Sequence, residues 1–365
     1  MNDDSDHPTP PTSLPGRPND RRPLIGITMG DPAGIGAEVV AKALADPAVR
    51  KMGRFIIFGL DELIGYAADQ AEIAPYWFRK PHEDIGAVES GVVVADYDEY
   101  GMFGPAVRRA TAEGGHASMR FVDDGIEALR RGQLDALVTG PINKTSWQMA
   151  GYRFPGHTEK FADAFGVKRY TMMFVADRLR VALASTHIGL FQLRNAFNIG
   201  RVFQPIDLLD DALKRWFGVE SPRIAVAALN PHAGEGGLFG DEETRIIEPA
   251  IIMAREAGID VQGPFPADTL FHRALDGRFD GVVAMYHDQA LIPIKLLAFD
   301  RAVNVTLGLP VIRTSVDHGT AFDIVGKNQA HPGSMRAAIQ LACQLAGGAR
   351  ATAAQPRASS NRTAI

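Results

Sequence analysis

Short apolar runs alternate with segments of helical spacing along most of the chain. In the first half, Asp61–Asp69 and Ala117–Arg131 carry the helical pattern. The runs around them are too short for independent helices and predict buried strands. These runs are Leu24–Met29, Phe55–Phe58, Val92–Ala95 and Ala136–Thr139. The alternation predicts an α/β fold with a mostly parallel sheet.

The second half begins with a different unit. Thr171–Ala176 and Leu179–Ser185 flank a turn-like Asp-Arg pair and predict an antiparallel hairpin, which suggests a second subdomain. Gly263–Thr269 is predicted to be a stiff loop because it is rich in proline. Further strands are predicted at Pro222–Leu229, Val282–Met285 and Ala302–Thr306, and helices at Ile206–Phe217, Asp241–Ala257 and about Pro332–Ala346.

Both ends of the chain lack apolar periodicity. Residues 1–22 and 348–365 are therefore predicted to be disordered tails. The folded part is predicted to contain two α/β domains. The first comprises residues 23–150 plus about 320–347, and the second comprises residues 151–319 and carries most of the metal and substrate residues.

The composition of the chain narrows the classes of protein to which it can belong. Apolar residues make up 46% of the 365 residues, charged residues 22%, and the net charge is −5, which is ordinary for a globular protein and gives no basic field for nucleic acid. No apolar run is long enough to span a membrane. The single cysteine, Cys343, excludes an intrachain disulfide and a multi-cysteine zinc site. A cytoplasmic location is expected.

Three apolar runs end in a histidine. They lead into His187, His232 and His287, and open α/β sheets bind ligands at the carboxyl ends of their strands. Three such histidines could converge on one metal ion and leave its fourth position open. The alternative for each is a hydrogen-bonded structural histidine, and no local metal motif such as HExxH occurs.

Other polar residues suit an anion. Lys295, Asn304 and Arg313 together offer ammonium, amide and guanidinium donors, although each alone is a common surface residue. His157 and Thr158 open a helix, where backbone N–H groups attract anions, although Thr158 could serve only as an N-cap.

Acidic and glycine-rich segments complete the candidates. Asp268 and Asp288 could orient ligands or relay a proton, with a surface carboxylate as the alternative for Asp268. Gly30–Gly36 follows a strand and could hold phosphate, or Asp31 could simply cap the next helix. These residues indicate a metal-dependent enzyme acting on an anionic small molecule. Their chemistry alone does not define the substrate or the reaction.

Six motifs add a resemblance to a known family. They are Met29–Gly36, Gly140–Lys144, Pro155–Glu159, Asn230–Glu235, Pro264–Asp268 and Tyr286–Gln289. In this order they resemble the 4-hydroxythreonine-4-phosphate dehydrogenase family of pyridoxal phosphate biosynthesis, over roughly residues 24–346.

The resemblance implies a homodimer with the two-domain fold of isocitrate and isopropylmalate dehydrogenases. It implies NAD-dependent oxidation of 4-phosphooxy-L-threonine, then decarboxylation to 3-amino-2-oxopropyl phosphate. It assigns a divalent metal, commonly zinc with magnesium or cobalt as alternatives, to His187, His232 and His287, with ligands from both subunits. It assigns substrate binding to His157, Thr158, Lys295, Asn304 and Arg313.

The loop from His318 to Lys327 resembles the adenosine-binding loop of isopropylmalate dehydrogenase. It places NAD, with NADP as the alternative, at His318, Gly319, Thr320 and Asp323. That superfamily binds NAD without a Rossmann fingerprint, so the absence of the fingerprint here is expected.

Several alternatives stay open. Paralogues with the same metal histidines oxidise 4-phospho-D-threonate, 4-phospho-D-erythronate or an aromatic dihydrodiol carboxylate. A phosphate acyltransferase shares the broader fold but needs neither the metal triad nor nicotinamide. A non-catalytic ligand-binding descendant would lack some of the site residues.

Overall fold

The computed structural model describes residues 22–100 and 107–354. The N-terminal tail predicted from the sequence lies almost entirely outside these ranges, as do residues 355–365. The described strands are β1 Leu24–Thr28, β2 Arg54–Gly59, β3 Phe78–Pro81, β4 Val92–Asp96, β5 Ala136–Thr139, β6 Thr171–Ala176, β7 Leu179–Leu183, β8 Ile224–Ala227, β9 Val261–Phe265, β10 Gly281–Ala284, β11 Val303–Leu307 and β12 Ile312–Val316.

Helices connect most of these strands. They are α1 Gly36–Ala45, α2 Pro47–Arg50, α3 Asp61–Gln70, α4 Ala112–Arg130, α5 Lys144–Met149, α6 His157–Ala164, α7 Leu193–Ala196, α8 Ile199–Arg215, α9 Glu248–Glu256, α10 Ala267–Leu275, α11 His287–Ala298 and α12 Gly333–Ala354. The predicted α/β class is confirmed.

Within the described ranges the strands form one 12-stranded sheet in the order β3-β4-β2-β1-β5-β12-β11-β6-β7-β10-β8-β9. The pairs from β3 to β12 are parallel, and so are those from β7 to β9. Between these halves, β11 is antiparallel to both of its neighbours, and β6 and β7 form the predicted hairpin. Consequently β7, β10 and β8 run opposite to β1, β5 and β12.

The core lies between the sheet and the helices on its two faces. Both faces of the central strands are covered, so β1, β2 and β4 read as continuous apolar runs rather than alternating ones. The α12 helix packs along β12, where Thr314 Oγ1 donates to Ala338 O at 2.9 Å.

Several element boundaries differ from the sequence predictions. Helix α8 begins at Ile199, earlier than the predicted start at Ile206, and it contains Pro205 in its interior, where a proline removes one backbone hydrogen bond. Helix α12 continues to Ala354, beyond residue 347, and Arg350 pairs there with Asp135. The segment at Gly263 is not only a loop, because Val261–Phe265 forms β9 at the edge of the sheet, where proline is tolerated.

Two cap predictions were wrong. Asp31 does not cap α1, which begins at Gly36. Its Oδ1 instead accepts from Ala33 N at 3.0 Å and its Oδ2 from Ser146 Oγ at 2.7 Å. Thr158 is not an N-cap either, because α6 begins at His157. The Asp31 carboxyl is fully buried, and burial raises its pKa.

Candidate functional site

Arg313 on β12 carries its charge in the middle of the sheet and is 2% exposed. Its Nε and Nη2 donate to Thr139 Oγ1 at 3.1 and 2.6 Å, and its Nη1 donates to Thr306 Oγ1 at 3.1 Å. Within the described ranges no carboxylate forms an ion pair with it. Burial lowers the pKa of Arg313 to about 9, so the guanidinium is protonated at neutral pH. A buried cation bonded only to hydroxyls is prepared to receive an anion.

Asn304 and His157 present unused polar atoms in the same region. Asn304 pairs with Ser315 across the strands, and Ser315 shares a sheet face with Arg313. Asn304 Oδ1 and His157 Nε2 are both inaccessible, and neither has a hydrogen-bond partner among the described residues. Burial, and then the charge of Arg313, hold the pKa of His157 well below its ordinary value of 6.5. Unpaired buried polar atoms are rare in proteins, so these two are candidates for ligand contact.

The two remaining predicted substrate residues lie in different settings. Thr158, on the first turn of α6, is 3% exposed. Lys295 on α11 places its Nζ 2.5 Å from Asp317 Oδ2 and donates to Asp317 O at 3.1 Å. The structure therefore gives Lys295 an internal counter-ion, whereas Arg313 has none in the described chain.

The three strands that precede the candidate metal histidines are neighbours. Strands β7, β10 and β8 are adjacent and parallel, so their carboxyl ends lie side by side. Ser185 Oγ donates to Met285 O at 2.7 Å, which ties β7 to β10. Gln289 accepts from Met285 N and donates to Ala228 O, both at 2.7 Å, which ties β10 to β8. These links fix the segments that carry the histidines.

His187 and His287 lie close together, with ring centroids 6.0 Å apart. His287 Nδ1 lies 2.8 Å from Asp288 Oδ1, which leaves Nε2 of His287 for a ligand. Burial is the main cause that lowers the pKa of His187, followed by the charges of Lys144 and His287. Neutral imidazoles are the form that binds metal.

His232 lies in an exposed loop with a strained backbone. His232, Ala233 and Glu235 have positive φ angles of 51°, 54° and 46°. The root of the loop is held by Glu243, which is 3% exposed and accepts from Leu229 N and Asn230 N at 2.8 and 2.7 Å. Such strain persists only where the surroundings impose it, and it often marks a functional loop.

The donor types fit a divalent metal, but one chain does not complete the site. Among the described residues, no group of three or more His, Cys, Asp or Glu side chains is placed to hold a metal ion. His187 and His287 form a pair, and His232 is outside it. A three-histidine site would therefore need a rearrangement or a ligand from another chain.

The two candidate aspartates differ in their surroundings. Asp288 contacts His287, as a ligand-orienting carboxylate would. Asp268, the second residue of α10, is exposed and does not contact the histidine pair through any hydrogen bond among the described residues.

The candidate cofactor loop packs on the glycine-rich turn after β1. Ile35 N donates to Thr320 O at 3.0 Å, and a Cβ on Gly34 would lie 2.9 Å from the Cβ of Thr320. His318 Nδ1 lies 3.0 Å from Gly319 O, and burial lowers its pKa. Asp323 is exposed beside this junction. A small pocket also opens here, lined in part by Gly34, Glu38, Tyr66, Val325 and Asn328.

A larger cleft, of about 690 Å³, opens beside Thr158 and Thr186, between α6 and the start of α8. Lys168, Arg169 and Arg201 line it, and Glu159 is the one acidic residue among its described lining residues. Thr158 follows His157 and Thr186 precedes His187, so the cleft adjoins both candidate groups.

Sequence reasoning missed several residues of this region. Thr139 and Thr306 hold Arg313, Gln289 joins two strand ends, and Glu243 holds the His232 loop. Gln289 belongs to the Tyr286–Gln289 motif, but its link between Met285 and Ala228 depends on the order of the strands. Spacing along the chain does not reveal that order.

Known proteins match most of the chain. The family model described as "Pyridoxal phosphate biosynthetic protein PdxA" matches residues 52–342. The 4-hydroxythreonine-4-phosphate dehydrogenase of Desulfosudis oleivorans is 45% identical over 88% of this chain and 95% of its own. The D-threonate 4-phosphate dehydrogenase of Salmonella typhimurium is 43% identical over 88% of this chain and 98% of its own.

A solved structure agrees with these matches. The crystal structure of 4-hydroxythreonine-4-phosphate dehydrogenase from Klebsiella pneumoniae superposes with a TM-score of 0.80. It is 38% identical and covers 89% of this chain and 99% of that chain.

Within the described residues, no helix has the length and apolar character that a membrane span requires.

Proposed function

Because the chain belongs to the family of the pyridoxal phosphate biosynthetic protein PdxA, we propose that it oxidises 4-phosphooxy-L-threonine with NAD and a divalent metal. The oxidised acid then loses CO2 to give 3-amino-2-oxopropyl phosphate. The family membership and the names of its relatives support a dehydrogenase; the cofactor, the metal and the decarboxylation are part of the proposal.

The observation that carries the proposal is the buried Arg313 without a carboxylate partner. Its guanidinium still has N–H donors to spare beyond the bonds to Thr139 and Thr306. In the same region, Asn304 Oδ1 and His157 Nε2 have no hydrogen-bond partner in the part of the chain that the structure describes. A phosphorylated hydroxy acid would satisfy all three groups, since it brings anionic oxygens and a hydroxyl.

We assign the metal to His187, His287 and His232. A bound divalent ion would supply Lewis acidity for the substrate hydroxyl and for the keto acid. Asp288 holds His287 with Nε2 available, and Ser185 and Gln289 fix the strand ends. We assign His232 to the site of the partner subunit, because it lies outside the pair that His187 and His287 form in one chain.

An exposed apolar face supports a homodimer. Ile292, Leu296 and Phe299 lie on one side of α11 and are 60%, 84% and 78% exposed. Two exposed pairs, Leu190 with Phe191 and Leu238 with Phe239, belong to the loops after β7 and β8. Covering this surface with a second copy would bury apolar area beside the histidines.

We place NAD between the turn after β1 and the loop from His318 to Asp323. The contact of Gly34 with Thr320 joins these segments, and the pocket beside Tyr66 offers an apolar wall for an adenine ring. The preference for NAD over NADP follows only from the resemblance.

A second substrate has specific support. One relative with 43% identity is named a D-threonate 4-phosphate dehydrogenase, and identities of 43% and 45% do not separate the two activities. That substrate would use the same Arg313 and histidine groups, because it differs at the carbon next to the carboxylate.

NADH formation by zinc-loaded protein tests the function. The protein is offered 4-phosphooxy-L-threonine and, in parallel, D-threonate 4-phosphate, and product CO2 is measured. Turnover of the first substrate with CO2 release supports the proposal. Turnover of the second alone moves the protein to the alternative, and no turnover of either with zinc, magnesium or cobalt contradicts both.

A further inference from the structure

The imidazole ring of His157 is held in place without a hydrogen bond. His157 is the first residue of α6. Its ring forms no hydrogen bond or ion pair within the part of the chain that the structure describes, and its Nε2 is inaccessible to solvent. A ring that keeps Nε2 free for a ligand cannot use that atom to fix its own orientation. The orientation of the imidazole therefore depends on packing.

Trp147 on α5 supplies this packing. The centroids of the indole and imidazole rings lie 5.4 Å apart, and the two ring planes meet at 77°. This nearly perpendicular arrangement is one of the geometries that aromatic pairs prefer. Among the described residues, no second aromatic ring contacts the imidazole of His157. Rotation of the imidazole away from Trp147 would lose this favourable contact.

The indole of Trp147 is itself fixed. It is fully buried, and its Nε1 donates to Ser118 Oγ at 3.0 Å. Ser118 Oγ in turn donates to Gly114 O at 2.7 Å, which ties the indole to α4. The residue before Trp147 is also anchored, because Ser146 Oγ donates to Asp31 Oδ2 at 2.7 Å. The indole can therefore hold the imidazole in one orientation.

We infer that Trp147 is a positioning residue, which orients the ring of His157 so that Nε2 faces the bound anion. The inference rests on the proposed function, in which His157 contacts the phosphorylated substrate. A ring that is already held in the binding orientation loses less conformational freedom when the ligand binds. The alternative is that Trp147 only fills the core, and its loss would then lower stability without weakening substrate binding.

Trp147→Leu tests the inference, and Trp147→Phe retains an aromatic ring at the same position. Trp216→Leu is the control, because Trp216 is another buried tryptophan, 4% exposed, outside the candidate sites. Calorimetry on zinc-loaded protein without NAD measures binding of 4-phosphooxy-L-threonine. Trp147→Leu should raise Kd about 3- to 10-fold, which is the usual worth of such an aromatic contact. KM should rise in proportion, while kcat changes less. Trp147→Phe should recover most of the affinity, and Trp216→Leu should lower Tm but keep the wild-type Kd.

A double-mutant cycle shows whether Trp147 acts through His157. His157→Asn removes the imidazole and should itself weaken substrate binding. Adding Trp147→Leu to this variant should cause no further loss, because the ring that Trp147 orients is absent. Losses of affinity that multiply in the double variant would overturn the inference, and so would equal Kd values for the wild type and Trp147→Leu.

Fluorescence provides a second readout, which does not depend on the folding of Trp147→Leu. The chain has three tryptophans, so Trp77→Phe combined with Trp216→Phe leaves Trp147 as the one reporter. Saturating substrate should change its emission, because the ligand binds the imidazole that the indole contacts, and His157→Asn should abolish the change. Unchanged emission at saturation would overturn the inference and leave the proposed function standing. Wild-type protein that binds no substrate with zinc, magnesium or cobalt would overturn both.

Discussion

The Arg313 region and the histidine edge, which comprises His187, His232 and His287, are built in different ways. Arg313 is 2% exposed and is held by hydroxyls of two neighbouring strands of its own chain. His287 has a 43% exposed side chain, and His232 lies in an exposed loop outside the histidine pair. The hydroxyls that hold Arg313 come from one chain, whereas no group of three candidate metal ligands forms among the described residues.

The difference shows what each site requires. A buried cation needs rigid surroundings, because its desolvation must be offset by fixed hydrogen bonds. A metal site needs an open position for substrate, and ligands on exposed loops can be contributed by two subunits. The proposed assignment predicts that anion binding survives subunit dissociation, whereas metal binding does not.

The largest effect is expected at the histidine edge. His232→Ala should remove a metal ligand and lower kcat/KM about 1000-fold, since a Lewis acid contributes several kcal/mol. Zinc content after gel filtration measures the loss of metal. Glu235→Ala, in the same loop, is the control and should keep its zinc.

Mixed dimers sharpen this result. Refolding His232→Ala with Arg313→Met should restore up to about a quarter of wild-type activity, because a mixed dimer has one intact site when His232 crosses the interface. No recovery, with mixed dimers verified by mass spectrometry, would place His232 in the site of its own chain.

A smaller loss of activity is expected in the Arg313 region. Arg313→Met should lower kcat/KM about 100-fold, the cost of lost charge-assisted bonds, and zinc content should stay unchanged. Arg313→Lys should not recover the activity, because an ammonium cannot reproduce the guanidinium's bonds to Thr139 and Thr306. Recovery by lysine would show that charge alone matters.

The buried His157 should also make the stability of the protein depend on pH. The folded protein holds the pKa of His157 well below 6.5, so below pH 6.5 the unfolded chain binds more protons. Stability is therefore complete above this value and falls as the pH drops through it. Between about pH 7.5 and about pH 5.5, this effect should lower the free energy of unfolding by about 1 kcal/mol. The urea midpoint of unfolding should therefore fall less in His157→Asn than in the wild type over this pH range. His272→Asn, at an exposed histidine, should retain the wild-type fall.

The smallest effect is expected far from both regions. Arg350 pairs with Asp135, and their side chains are 31% and 16% exposed. Arg350→Ala should lower the free energy of unfolding by about 0.5–1 kcal/mol, the usual worth of such a pair. Activity and zinc content should not change, and a change in either would connect the end of α12 with the sites.

The sequence by itself determined the elements and the chemical types. Apolar runs predicted the buried strands and the hairpin at Thr171–Ala176, because burial on both faces leaves a clear pattern. Residue chemistry selected Arg313 and Asn304 as candidates, because guanidinium and amide groups donate to anions, and it selected His157 because that residue opens a helix. The apolar pattern missed β3 and β9, which are edge strands with little apolar content.

Only the tertiary structure decided which residues meet. Spacing along the chain did not indicate that β7, β10 and β8 are neighbours or that Thr139 and Thr306 hold Arg313. These contacts depend on strand order and direction, which are set by packing between distant segments. Periodicity reports the environment of a residue, whereas the partner of a side chain depends on the whole fold.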